Sequence, residues 1–293
     1  MQSDMCDPAP DRLNARSRVR PSEVVLTIAV LLVAAHFVAS QSTNKNFHWE
    51  TFAQYLTAKA ILSGISVTIT LTVIATVVGL LMGTMLAAMW GSSYRPLRWL
   101  SWLFIWFSRG TPVLVHLLLW FNLALFFPTI SIGIPYVHTF WEVPTNMVIT
   151  SFTASVMGLS LSEASYMAEI VRGGLNAIDP GQNEAARALG LTPAQTLRSV
   201  LLPQAMRAII PPISNQVILM LKTTSLVSVI AGNDLLTRAK DIYNDNFQVV
   251  PLLLVATFWY LVFTTVTTIG QQRLEAYYSK GVKRRPAPKN GQR

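Results

Sequence analysis

Charge is what this sequence has least of. Of its 293 residues only 13% are Asp, Glu, Lys or Arg, about half of the roughly 25% usual in soluble domains. Hydrophobic residues make up 52%, and the mean hydropathy is +0.42. A water-soluble chain of this length would form about two domains, and so few charges cannot clothe their cores. Cysteine is nearly absent too. Cys6 stands alone in a polar N-terminal tail, which excludes an intrachain disulfide and a thiolate metal cluster. The chain has no Gly-x-x-x-x-Gly-Lys-Ser/Thr loop to cradle phosphates, no His-Glu-x-x-His helix and no paired-cysteine spacing, so neither nucleotide hydrolysis nor metalloenzyme chemistry is written in it. His36, His48, His116 and His138 are scattered over separate segments, which argues against a membrane enzyme.

What is present is a series of uncharged apolar runs, each long enough for a hydrocarbon layer of ~30 Å. The sequence reads as an all-α polytopic membrane protein with six spans: Val24 to Ala39, Ala60 to Met89, Trp99 to Phe127, Met147 to Val171, Ala205 to Ile230 and Val250 to Gly270. The net charge of +9 would suggest a nucleic acid partner in a soluble protein, but here it reports orientation, and no nucleic acid is expected. Arg12, Arg16, Arg18 and Arg20 precede the first span, and Arg95 and Arg98 follow the second. Arg172, Arg187, Arg198 and Arg207 follow the fourth, and a basic tail from Arg273 to Arg293 follows the sixth. The opposite side holds Lys45, Lys59, Arg238 and Lys240. Both termini are therefore expected in the cytoplasm. The first span has a second reading, since basic residues, a short apolar core and Val38-Ala39-Ser40 also describe a cleavable signal peptide. Ala75, Gly79, Gly83 and Ala87 form a small-residue stripe on the second span, suited to close helix packing within the subunit or at a dimer interface.

Residues 173 to 205 are too polar to span and too patterned for a disordered loop. Asp179, Pro180 and Gln182 predict a capped helix with a capping box, and Gly190 its left-handed end. Thr192, Pro193 and Gln195 predict a second capped helix, ended or kinked at Pro203. Glu184, Arg187 and Arg198 beside Ala185, Ala186 and Ala188 suit insertion into a groove of another protein. An amphipathic hairpin on lipid headgroups would instead carry bulky apolar residues on one face.

Ionisable groups inside spans face the bundle interior, a partner or a water-filled path. Gly158, Ser162, Ser165 and Glu169 share a helix face, and Glu163 lies about 120° from Glu169 at about 100° per residue. Glu169 reads as a structural ion pair with Arg172, three residues on. Glu163, one turn before Tyr166, either lines a path that meets a substrate's amino group or bonds a neighbouring helix. Asn215, Lys222 and Ser225 share a face of the fifth span, and Lys222 either meets a substrate carboxylate or pairs with Glu163 of its own or the other subunit. Arg109-Gly110-Thr111-Pro112 breaks the third span, and a broken helix is tolerated where protein or water re-satisfies its backbone, hence beside a path. His116, one turn beyond Pro112, reads first as a packing residue and second as a ligand.

Glu184-Ala185-Ala186, Gly190, Val200 and Leu202-Pro203 fall in the register of the EAA loop of ATP-binding-cassette (ABC) importer permeases, which this segment resembles. Tyr166 to Gly174, Gly181-Gln182, Pro203-Gln204-Ala205, Pro211-Pro212, Asn215, Lys222 to Leu226 and Arg109 to Pro112 are similar to the polar amino acid branch of that family. His116 stands where many of that branch have Gln, and Thr223 where an acidic residue often follows the lysine. The resemblance implies a five-helix permease core over residues 55–275 with an ATPase-docking loop at 179–203, an added N-terminal helix at 24–40, and polar tails at 1–23 and 276–293. It implies a bacterial cytoplasmic (inner) membrane setting, a lipid surround, a second permease subunit that makes a homodimer or heterodimer, and an extracytoplasmic amino-acid-binding protein. It also implies a cytoplasmic ATPase that holds ATP and magnesium, leaving this chain without cofactor, metal or catalytic residue. Glu184, Ala185, Ala186, Gly190 and Pro203 would dock the ATPase. Glu163, Tyr166, Arg109, Thr111, Pro112, His116, Asn215, Lys222 and Ser225 would line the substrate path. An ion-coupled secondary transporter would use Glu163 and Lys222 directly, but it predicts inverted repeats that this sequence does not display.

Overall fold

The computed structural model describes residues 21–42, 44, 47–134 and 138–278. The tail with Cys6, Lys45 and the basic residues from Lys280 onward lie outside the described residues. The chain divides into two units, residues up to 48 and residues from 49 on. The first contains helix α1, Pro21–Ser42.

The second unit opens with a short helix α2 (Trp49–Leu56) and the 32-residue α3 (Lys59–Trp90). α3 is followed by α4 (Arg95–Gly110) and α5 (Val113–Phe121), a one-turn α6 (Leu123–Phe126), and the antiparallel hairpin β1 (Thr129–Ile134) and β2 (His138–Pro144). A one-turn α7 (Thr145–Val148) leads into α8 (Ser151–Asn176). Then come α9 (Pro180–Ala188) and a short α10 (Pro193–Gln195), which continues through a π-helical segment, 196–201, into α11 (Leu202–Thr223). A 3₁₀ segment at 224–230, α12 (Leu235–Asn246) and α13 (Val249–Tyr278) complete the chain.

The packing centre is α8 against α3. Ala75, Gly79, Gly83 and Ala87 are all buried, and the glycines are what allow the approach. A Cβ on Gly83 would stand 2.5 Å from Met167 Cβ and 2.8 Å from Ala164 O. The small-residue stripe therefore serves packing within the subunit. α8 can be polar because it is inside: Ser155, Ser160, Ser162 and Ser165 are buried with it, and two of them back-bond to their own helix, Ser155 Oγ to Ser151 O at 2.6 Å and Ser165 Oγ to Ser162 O at 2.7 Å.

One boundary is corrected, and two expected irregularities take definite form. The break expected in the third span is present, the chain bending by 102° between α4 and α5. Pro112 carries no N–H and sits as the extended cap of α5 (φ −60°, ψ 141°), so the helical ladder cannot pass through it. The fourth span starts at Ser151, where Thr150 and Thr153 form a capping box, and Met147 belongs to the separate α7. Of the two readings at Pro203, an end or a kink into the fifth span, the end is excluded. The π segment widens the turn so that Leu202 N bonds five residues back, to Leu197 O, and the helix runs on into α11.

Among the described residues three helices are long and apolar enough to cross a membrane, Lys59–Trp90, Pro193–Ile230 and Val249–Tyr278, or four if α4 and α5 make one span. Neither α1, whose apolar part is Pro21–His36, nor the polar α8 meets that measure. The sequence reading contained neither α2, nor the β hairpin, nor α12. The last is set by Asp234, whose carboxylate accepts from Leu236 N (3.1 Å) and Thr237 N (3.2 Å), while Leu235 N donates to Thr68 of α3 at 3.0 Å.

Candidate functional site

Two places gather the residues singled out by sequence. The first is the helical hairpin of α9 and α10. Asp179 Oδ1 accepts from Gly181 N at 2.8 Å and starts α9, with Pro180 at its first position. Gln182 does not close a capping box. Its Oε1 accepts instead from Gln204 Nε2 at 3.0 Å, and the same amide donates to Val200 O at 2.9 Å, so Gln204 ties α9 to the π segment. Gly190 adopts φ +73° and turns the chain. Thr192 and Gln195 form a reciprocal capping box, with Thr192 N donating to Gln195 Oε1 at 2.9 Å.

Glu184, Ala185, Arg187, Ala188 and Arg198 are exposed on this hairpin. Ala186 is not: it is 3% exposed, as is Thr196 on the π segment against which α9 packs. The alanine triplet thus splits, because Ala186 is on the face of α9 that packs inward while Ala185 and Ala188 are turned away from it. Pro203 lies in the first turn of α11 and is exposed. Sequence reasoning missed Leu189 and Leu197, which are 81% and 47% exposed on this surface. For Leu189 the signal was its place immediately before the left-handed Gly190, at the tip of the hairpin.

The second place is a cavity of about 220 Å³ between α5, α8 and α11, lined by Val113, Ser162, Glu163, Tyr166, Gln216, Leu219, Met220 and Thr223. Glu163 is 4% exposed, and its Oε1 has no hydrogen-bond partner. A buried unpaired carboxyl oxygen is costly, and such groups concentrate where a ligand or water completes them. Tyr166 adds its ring, Ser162 a hydroxyl and Gln216 an amide. The arrangement holds hydrogen-bonding groups of both kinds within an apolar bundle, enough to receive a small polar group and carrying no nucleophile–base pair.

The other predicted path residues lie elsewhere. Arg109 stacks over Tyr166, 5.5 Å from the ring centroid, and pairs with Glu169 at 3.7 Å. Glu169 also pairs with Arg172 at 3.1 Å, the expected structural pair, and Arg172 lies 4.3 Å over the Trp90 ring. Thr111 donates to Phe107 O and lies 3.1 Å from His116 Nε2, so the two side chains bridge the break that Pro112 opens. His116 faces a separate cavity of about 340 Å³ with Phe107, Trp120 and Leu161, and its Nδ1 is unpartnered. Asn215 is exposed; the next residue, Gln216, takes the place in the cavity. Lys222 is exposed and makes no ion pair with Glu163 of its own chain, lying about 100° round α11 from Thr223, which lines the cavity. Ser225 Oγ donates to Lys222 O at 2.7 Å and is spent within its own segment.

Residues 75–280 match the family of binding-protein-dependent transport system inner membrane components. This chain belongs to that family. It is 39% identical over 274 residues to an arginine transport system permease protein of Corynebacterium glutamicum, covering 93% of this chain and 85% of that relative. An arginine ABC transporter permease of Escherichia coli K12 is 32% identical, covering 68% of this chain and 87% of its own. Among solved structures, an amino acid ABC transporter crystallised with histidines superposes with a TM-score of 0.63 at 36% identity, over 74% of this chain and 94% of that one. The MetNI methionine transporter, at 18% identity and a TM-score of 0.56, shares the fold. The permease family is an inner membrane component, which agrees with the apolar helices α3, α11 and α13.

Proposed function

We propose that this chain is the transmembrane permease subunit of an ABC importer that moves a polar amino acid across the bacterial cytoplasmic membrane. The observation that carries this reading is the exposed α9–α10 hairpin, rigidified by Gly190, two helix caps and the Gln182–Gln204 bond, and continuous with α11. Because α10, the π segment and α11 are one helix path and α9 packs on the π segment, a push on the hairpin is carried along that path to Gln216 in the cavity. Two permease subunits, identical or homologous, enclose the path. Each docks a cytoplasmic ATPase through residues 179–203, and that partner holds ATP and magnesium, this chain supplying no catalytic group. Closure of the ATPase pair drives the two hairpins together and swings the bundles from inward-open to outward-open. An extracytoplasmic binding protein delivers the substrate.

The unpartnered carboxyl of Glu163 suits the ammonium of a cationic or zwitterionic amino acid, and the relatives named for arginine favour the same class. The test is uptake of labelled amino acids by liposomes holding this permease, its ATPase and its binding protein. ATP-dependent accumulation of a basic amino acid is expected. Uptake that persists without ATP and follows an ion gradient would overturn the reading.

A further inference from the structure

We propose that the elbow between α3 and α4 binds the headgroup of an anionic phospholipid. The end of α3 and the first two turns of α4 enclose a groove of about 560 Å³ lined by Trp90, Arg95, Pro96, Arg98, Trp99 and Trp102. Both arginines are exposed, and neither joins an ion pair among the described residues. The sequence contains no Asp or Glu between Glu50 and Glu142, so no carboxylate on α3, α4 or α5 can neutralise them. The adjoining groove makes the contrast. It shares Trp90 and Trp102, but there Arg109 and Arg172 are met by Glu169 at 3.7 and 3.1 Å. One groove is charge-balanced and the other carries two unmatched guanidinium groups.

The walls decide what kind of anion fits. Three indoles border the groove, and Trp99 is 63% exposed. Trp102 stacks on Trp106 further along α4, with centroids 6.1 Å apart and planes 15° apart, so the apolar wall continues away from the arginines. A small soluble anion would use the guanidinium groups and leave these indoles in contact with nothing. A phospholipid uses both: its phosphate meets Arg95 and Arg98, and its glycerol and upper acyl region lie along Trp99 and Trp102. Tryptophan prefers the headgroup depth of a bilayer, and basic pockets at that depth hold anionic headgroups.

The test uses the full chain in phosphatidylcholine micelles titrated with phosphatidylglycerol, bound lipid being counted by native mass spectrometry. Arg95→Gln and Arg98→Gln should each weaken phosphatidylglycerol retention about fivefold, the effect of one basic residue near an anionic surface. Arg273→Gln, a basic residue outside the groove, should leave retention unchanged. Brominated phosphatidylglycerol should also quench the indole emission of the unaltered protein more than brominated phosphatidylcholine does. Equal quenching by the two lipids, or equal losses in all three variants, overturns the site. Displacement of the lipid by glycerol phosphate alone would reassign it to a soluble anion. Loss of ATPase co-purification in the Arg95 and Arg98 variants, with lipid retention intact, would make the groove a protein contact instead.

Discussion

Gly79 of α3 lies against Glu163 of α8: a Cβ built on the glycine would stand 2.7 Å from Glu163 Cγ and 2.8 Å from its Cβ. The missing side chain of one residue is thus the room occupied by the other, and it leaves Glu163 Oε1 free of any hydrogen bond at the cavity wall. Glu163→Gln keeps shape and hydrogen-bonding capacity and removes the charge. If the carboxylate receives a substrate ammonium, its loss weakens substrate engagement by on the order of 1.5–3 kcal/mol, the range for hydrogen bonds to charged groups. Reconstituted uptake should fall while basal ATP hydrolysis in the complex persists. Unchanged uptake across several amino acids would remove Glu163 from the path.

The same pair of helices, one turn further along α3, makes a stability prediction that does not depend on transport. Gly83→Ala would drive its Cβ into Met167 Cβ, Ala164 O and Ala168 N, two of which are backbone atoms of α8 that cannot swing aside. Overpacking of this kind costs about 1–3 kcal/mol. Gly110→Ala, with nothing within 4 Å of its Cβ, is the control. Thermal melting of purified protein in detergent should drop for the first variant and hold for the second. Equal melting would mean that α3 and α8 are less closely packed than described.

Local chemistry made the hairpin readable in advance. Asp179, Gly190, Thr192 and Gln195 each act through neighbours within three residues, and their roles follow from residue type and spacing. The break at Thr111-Pro112 was readable for the same reason. What could not be read was rotation about long helices. Asn215 and Lys222 share a helix face with each other but not with the cavity, and Gln216, one residue away, lies where they were expected. An offset of one residue turns a side chain by about 100°, and only the packing of α11 on α8 fixes that angle. Ala186 was lost in the same way. α12 escaped notice because, although Asp234 caps it locally, its start is anchored by Leu235 N donating to Thr68, over 160 residues earlier in the chain.

At the hairpin, Gly190→Asp places a side chain where φ is +73°, which disfavours the left-handed turn by roughly 1 kcal/mol or more. Glu184→Lys reverses a charge on the exposed surface, and Leu189→Asp removes an 81% exposed apolar contact. Each should leave the permease in the membrane at normal levels but reduce both ATPase co-purification and uptake. Wild-type uptake in the Gly190→Asp strain would refute the assignment of residues 179–203 as a docking element.

Orientation gives the sharpest test, because the 102° bend between α4 and α5 admits two topologies. If the pair crosses the membrane once, the β1–β2 hairpin emerges opposite Arg95 and Arg98. If it re-enters, the hairpin returns to their side, and the sides of everything after it are exchanged. The positive-inside distribution favours a single crossing: Arg172, Arg187, Arg198 and Arg207 then share a side with Arg95, Arg98 and the basic C-terminal tail. A re-entrant pair would put these two arginine groups on opposite faces. A phosphatase that matures only where disulfides form, inserted beside residue 138, should be active. A fluorescent protein that folds only in the cytoplasm, fused after Arg293, should emit. Phosphatase silence at the hairpin together with a dark fluorescent protein after Arg293 would establish the re-entrant arrangement and place the α9–α10 hairpin outside the cell, where no ATPase could reach it.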